Sequence, residues 1–180
     1  MRHIVLALSL LACVVANAAE PTSNDLLREL KNEDQSARST GGSAIDWSKV
    51  SQEDAERRKK VVELLRSGEV KSGDDYFNAA LIFQHGNSAD DIRLAYALAN
   101  ISSVLKPENK TAKWLSAAAW DRIMMRLNKP QWYGTQFIGL GTPRKFELYK
   151  IDESAVSDED RMAMGVPTLE ESKARAAKMK

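Results

Sequence analysis

Residues that start or stop a helix recur along this chain, and each sits beside an apolar stripe of helical period. That punctuation constrains the fold more than any other feature. Ser23 or Asn24 caps a first helix over Asp25 to Arg38, with Leu26, Leu27 and Leu30 on one face and Gly41-Gly42-Ser43 as its end. After a loop carrying Ile45 and Trp47, Ser51-Gln52-Glu53-Asp54 opens a second helix, because a serine hydroxyl accepts from the third amide and an acid suits the positive helix end. It runs to Arg66, with Val61, Val62, Leu64 and Leu65 in its stripe and Gly68 as the stop.

The middle of the chain reads as the core. Tyr76, Ala79, Ala80 and Phe83 follow helical spacing, and Leu81 and Ile82 fill the other side, so that helix is buried nearly all round. Gly86-Asn87 breaks it, and Ser88 caps a helix carrying Ile92, Ala95, Leu98, Ala99 and Ile101. So short a connection makes the two antiparallel. Pro107 closes that helix, and Thr111 to Asn128 forms another, ended by Pro130, with Ala117, Ala118 and Ala119 permitting close approach of a neighbour. Gln131 to Ile138 and Phe146 to Ile151 then read as a β-hairpin around a loop at Gly139 to Lys145. Ser157 caps Asp158 to Met164, and Thr168-Leu169-Glu170-Glu171 opens a solvated, basic terminal helix. The expected fold is mainly α, six to seven helices in antiparallel hairpins with a small β-hairpin near residues 131–151. A tetratricopeptide-like array is the alternative, although no repeat of fixed period is present.

Met1-Arg2-His3 followed by the uncharged run Ile4 to Val15 reads as a signal peptide, too short to span a bilayer, with Ala16-Asn17-Ala18 placing small side chains where signal peptidase cuts, after Ala18. Residues 1–18 are thus the signal and residues 19–180 a single exported, periplasmic domain. The alternative uses Leu10-Leu11-Ala12-Cys13 as a lipobox, with Cys13 acylated and the protein held at the outer membrane. Cys13 is the only cysteine, so the mature domain has no disulfide and its core must hold it together. About 160 residues bury roughly two-thirds of their unfolded surface, enough for one domain. The chain has 26 Lys+Arg and 25 Asp+Glu, and loss of Arg2 leaves 25 of each. Such interspersed, balanced charge gives no footprint for nucleic acid, and the mature chain has no transmembrane segment.

Asp34-Gln35 with Arg38, Gln84-His85, Asp121-Arg122, Pro130-Gln131-Trp132-Tyr133-Gly134-Thr135-Gln136 and the late Arg161 carry most of the polar chemistry. In that order they resemble a family of uncharacterised bacterial domains, often exported, marked by Pro-Gln-x-Tyr-Gly-Thr-Gln. The resemblance spans roughly residues 24–172. It implies one exported domain and brings no reaction with it.

His85, the one histidine after residue 18, falls at a helix C-terminus, where it either caps the last carbonyls or serves as a general acid or anion contact. Asp121 and Arg122 lie among apolar residues of their helix and need partners, for which Arg38, Arg161 and Asp34 are available. Tyr133-Gly134-Thr135-Gln136 either locks a turn, with Gly134 at positive φ, or lines a polar pocket. The candidate cluster is Asp34, Gln35, Arg38, His85, Asp121, Arg122, Gln131, Tyr133, Thr135, Gln136 and Arg161. With a single histidine and no cysteine the usual zinc sites are excluded, and no phosphate loop, dinucleotide fingerprint or serine elbow occurs, so neither metal nor cofactor is expected. The expected function is a binding or interaction module, an immunity-type inhibitor or an envelope ligand binder, whose partner is a protein or small polar ligand met through Trp132 and Tyr133. The alternative is a metal-independent hydrolase using His85 with Asp34 or Asp121. A cavity containing His85 favours the enzyme, and Trp132 exposed on a rim favours the binder.

Overall fold

The computed structural model describes residues 21–39, 45–141 and 145–179. Ala18, Cys13 and the whole segment read as a signal lie outside the described residues, as does Gly41-Gly42-Ser43. The fold is mainly helical: α1 (Asp25–Ser36), α2 (Trp47–Arg66), α3 (Gly73–Gln84), α4 (Ala89–Leu105) and α5 (Lys110–Arg126) precede the hairpin β1 (Phe137–Leu140) and β2 (Lys145–Leu148), and α6 (Asp158–Ala163) and α7 (Leu169–Lys178) follow it. No helix among the described residues is long and apolar enough to cross a membrane.

Most helix starts lie where the cap residues place them. Asn24 accepts from the Leu27 amide, and Ser72, Ser88, Ser157 and Thr168 each form a reciprocal capping box with Asp75, Asp91, Asp160 and Glu171. The second helix differs. It begins a turn earlier than Ser51, because the Asp46 carboxylate accepts from both Ser48 N and Lys49 N at 3.1 Å. Ser51 is therefore inside α2, and Asp54 is a buried ion-pair partner instead of a capping acid. In α1, Leu27, Leu30 and Asp34 face inward, and Leu26 turns outward at 46% exposure.

The core runs along α3, which packs against α1 and α4, and α4 packs in turn against α5. Ile82, Phe83, Ile92, Leu98 and Leu115 are buried in it with a set of alanines whose small size lets the helices approach closely. The Ser102 hydroxyl, near the end of α4, donates to the Gly73 carbonyl at the start of α3, as an antiparallel pair requires. After α5 the chain adds no further helical pair of an array. It turns at Asn128, which takes a positive φ of 55°, and enters the hairpin.

The hairpin is shorter than its aromatic content predicts. Its antiparallel register pairs Phe137 with Leu148 and Leu140 with Lys145. Gly139 and Leu140 therefore belong to β1 and not to the connecting loop. Residues 131–136 are not strand, because the Gln131 carboxamide takes the place of a peptide group: its Nε2 donates to Gln136 O (3.0 Å) and Tyr149 O (2.8 Å), and its Oε1 accepts from Gln136 N (2.9 Å). The terminal helix also departs from expectation. Leu169, Ser172 and Ala176 of α7 are buried, and its inner face packs on β2.

Gly73 is where two backbones come closest. A Cβ added there would lie 2.6 Å from Lys106 Cβ and 3.3 Å from Lys106 N. Gly73→Ala is expected to lower stability by about 1–3 kcal/mol through overpacking, read from the urea midpoint. Gly68→Ala, at φ +71 with nothing within 4 Å of the added carbon, should cost only the left-handed strain of about 1 kcal/mol. Equal losses at both sites would contradict the close α3–α4 approach.

Candidate functional site

Two carboxylates with no exposed surface, Asp34 on α1 and Asp121 on α5, position the polar residues. A carboxylate in that setting must have its lone pairs filled. Asp34 receives His85 Nδ1 at 2.9 and 3.1 Å, Gln35 Nε2 at 2.8 Å and Arg38 Nη1 at 3.0 Å. Arg38 also reaches Asp54 of α2, which accepts from Arg57 Nη2 at 2.7 Å. His85 is thus the C-cap residue of α3 by position, yet its side chain does not serve the last carbonyls of its own helix. Because a carboxylate only accepts, Nδ1 carries a proton, and in the neutral form of the ring Nε2 is then the acceptor edge.

Asp121 meets no arginine. Its Oδ1 accepts from Trp132 N (2.8 Å) and Tyr133 N (3.0 Å), and its Oδ2 accepts from Thr135 N (3.0 Å) and Thr135 Oγ1 (2.8 Å). The Trp132–Gln136 turn is therefore wrapped around one buried acid, with Gly134 at φ +84. The expectation that Arg38 or Arg161 neutralises Asp121 is overturned by this geometry: three backbone amides and one hydroxyl donate to its two oxygens, and Arg38 and Arg161 pair with other acids. Arg161, 2% exposed, donates instead to Trp132 O and Asp158 Oδ1, both at 3.1 Å.

From this scaffold a cavity of about 470 Å³ opens between α1, α3, α5, the hairpin and the last residues of the chain. Gln35, His85, Arg122, Thr135 and Gln136 line it, five of the residues selected from sequence. Asp34, Arg38, Asp121 and Gln131 stand behind that lining as supports. Tyr133 and Arg161 lie elsewhere. Trp132 is half-buried, its ring 4.7 Å from Trp120, which lies 5.5 Å from Tyr96. Trp132, expected to project from the surface, is therefore packed at a tilt against Trp120, and Tyr133 is half-buried. Burial, with the neighbouring Tyr96 and the carboxylates of Asp121 and Asp160, holds the Tyr133 phenol above its ordinary pKa, so it stays protonated.

Sequence reasoning missed Gln84 as a site residue. It follows the apolar run of residues 79–83 at the end of α3, is 7% exposed, and its Oε1 has no hydrogen-bond partner. Trp114, Phe137, Phe146 and Met179 complete the apolar wall and carried no separate signal. Arg122 donates through Nη1 to Gln84 O and through Nε to Gln136 Oε1 at 3.4 Å. Burial and the nearby Arg126 charge push its pKa below the ordinary arginine value, which marks an environment unfriendly to positive charge. Gln136 is held in place by its own bonds to Ala118 O and Thr135 Oγ1. A larger depression of about 900 Å³ beside α2 holds none of the selected residues, and the Arg57 charge within it is already met by Asp54 and Glu53. Among the described residues no group of three or more His, Cys, Asp or Glu is placed to hold a metal.

The fold and site together define a small helical domain with a polar-floored, apolar-walled cavity. Comparison with models of protein families, with curated proteins and with solved structures finds no match in any of the three.

Asp121→Ala should lose about 3 kcal/mol or more, since it strands three buried amides and a hydroxyl, and hydrogen exchange at Trp132, Tyr133 and Thr135 should rise with it. Unchanged stability would mean that the turn holds itself. Asp54 should make part of the stability depend on pH. Burial alone would raise that pKa, but the hydrogen bonds and charges of Arg38 and Arg57 outweigh burial and hold it below the ordinary carboxylate value. A depressed carboxylate stabilises above its unfolded pKa and loses that contribution as pH falls through the folded one. Unfolding free energy should therefore decline from about pH 5 towards pH 2, and Asp54→Asn should flatten that decline. An identical slope in the variant would remove Asp54 from the account.

Proposed function

We propose that this chain is an exported binding protein for a small polar ligand, which it takes into the cavity floored by His85, Arg122, Gln136 and Gln84. The observation that carries this reading is the Gln84 carboxamide. A buried polar atom without a partner costs about 1–3 kcal/mol, and here it belongs to a residue that lines a cavity large enough for a small molecule. Rigid supports behind His85 and Thr135 add to it, since a preorganised pocket loses less on binding. An envelope ligand binder suits an internal cavity of this kind. An immunity-type inhibitor has less in its favour, because Trp132 is half-buried and packed at a tilt against Trp120 instead of projecting.

One observation favours the hydrolase as a second reading. Asp34 holds His85 by Nδ1, the arrangement that makes Nε2 a general base. In such a reaction Asp34, not Asp121, is the partner of His85. Thr135 offers no nucleophile, its hydroxyl being given to Asp121, so the attacking group would be a water activated by Nε2.

Gln84→Leu separates a ligand site from scaffolding. On this reading it raises stability by about 1 kcal/mol, since it removes an unsatisfied polar atom, and it loses the thermal shift that a screen of small polar metabolites gives with the wild-type protein. A ligand at a hundred times its Kd stabilises by about 2.7 kcal/mol. A destabilised Gln84→Leu, or a screen in which nothing shifts the wild type, would contradict the reading. Recovery of the ligand unchanged supports binding alone, and its consumption in wild type but not in His85→Ala supports the hydrolase.

A further inference from the structure

The strongest electrostatic asymmetry in the cavity is Arg122. The other arginines held inside or half inside the protein have acids: Arg38 has Asp34 and Asp54, Arg57 has Asp54, Arg58 has Asp91, and Arg161 has Asp158. Arg122 is half-buried and, among the described residues, meets only the neutral oxygens of Gln84 and Gln136. Two of its five N–H groups are used there, and the remaining donors lie on Nη1 and Nη2, the end of the guanidinium that forms a two-pronged fork. Arg126 brings no relief, since it adds positive charge nearby. A desolvated cation with a free fork is a receptor for a carboxylate.

The surroundings narrow the ligand further. Arg122 Nη1 donates to the backbone carbonyl of Gln84, so the guanidinium lies at the base of the Gln84 side chain, whose Oε1 is without a partner. That oxygen is sealed beneath the cavity lining; turned into the cavity by a side-chain rotation, it needs a donor one or two bonds from the anion. Leu81, Trp114, Phe137 and Phe146 supply an apolar wall opposite. We propose that the ligand is a carboxylate with an adjacent amide and an apolar side chain, the chemistry shared by an N-acylated amino acid and the C-terminal residue of a peptide. The carboxylate takes the Arg122 fork, the amide N–H donates to Gln84 Oε1, and the apolar group lies against Trp114 and Phe146. This rests on the cavity being the ligand site, as argued above.

The test is calorimetric titration of the protein with N-acetylphenylalanine, its neutral primary amide, 3-phenylpropionate, inorganic phosphate and the peptide Ala-Ala-Phe. The acid is expected to bind at least about tenfold more tightly than the primary amide or than 3-phenylpropionate, with phosphate not competing. Arg122→Gln should lose about tenfold or more for the acid, Arg122→Lys should lose less, and thermal melts should show both variants folded. Equal binding of acid and primary amide, phosphate competition, or no binding of the acid overturns the carboxylate class. Affinity for the acid that survives in both Arg122→Gln and Arg122→Lys overturns it as well. Those outcomes leave the cavity reading intact if the metabolite screen still gives a shift that Gln84→Leu abolishes. Tight binding of Ala-Ala-Phe beside N-acetylphenylalanine assigns peptide termini as the source, whereas rejection of the peptide assigns the free acylated amino acid.

Discussion

A carboxylate sealed from water must have its oxygens occupied, and Asp34 and Asp121 impose that requirement at two places in one small domain. Each answers it by recruiting chain from far away in sequence. Asp34 draws His85 from the end of α3 and, through Arg38, ties α1 to Asp54 of α2. Asp121 gathers the amides of the turn that follows α5 and so fixes where the hairpin begins. The two acids anchor different residues lining the same cavity, Asp34 holding Gln35 and His85 and Asp121 holding Thr135. Apolar packing of α3 against α4 supplies the bulk of the core, yet the position of the polar floor depends on these two groups.

The same logic separates the groups that are used up from those that remain available. Gln131 spends its hydrogen-bonding capacity on the turn and the chain after β2, and Thr135 and Gln136 use theirs largely on α5. Arg38, Arg57 and Arg161 have acids of their own. Among the residues lining the cavity, what is left over is Nε2 of His85, the outer fork of Arg122 and the Gln84 carboxamide. Folding alone gains nothing from that concentration of unmet polar groups, which is the pattern expected where stability has been given up for binding.

Much of the architecture could be read from local signals because the causes are local. A serine hydroxyl and an acid three residues later form a capping box whatever surrounds them, and so Ser88, Ser157 and Thr168 start helices where the sequence places them. Asp46 defeated that logic at α2, since two residue types competed to cap and the earlier one makes two bonds. The hairpin limits were hidden because Gln131 acts as backbone, a role visible only once Tyr149 and Gln136 flank it. The candidate cluster was half legible. Polar residues in apolar helices announced themselves, but which of them supports and which is presented depends on partners 51 residues apart, as with His85 and Asp34. Gln84 was passed over because a glutamine at a helix end is ordinary until the side chain is seen without a partner.

The central claim is that Asp34 clamps His85 through Nδ1 and thereby presents Nε2 to the cavity. The tautomer of that ring is the most direct test. The chain has two histidines, so a long-range proton–nitrogen correlation spectrum, with His85→Ala to assign the signal, isolates the ring at a pH near 8.5 where an ordinary imidazole is neutral. The account predicts a proton on Nδ1 and an unprotonated Nε2 nitrogen shift. A proton found on Nε2 would contradict it, because the ring would then turn its acceptor edge to a carboxylate that can only accept, and the floor of the cavity would have to be built in another way.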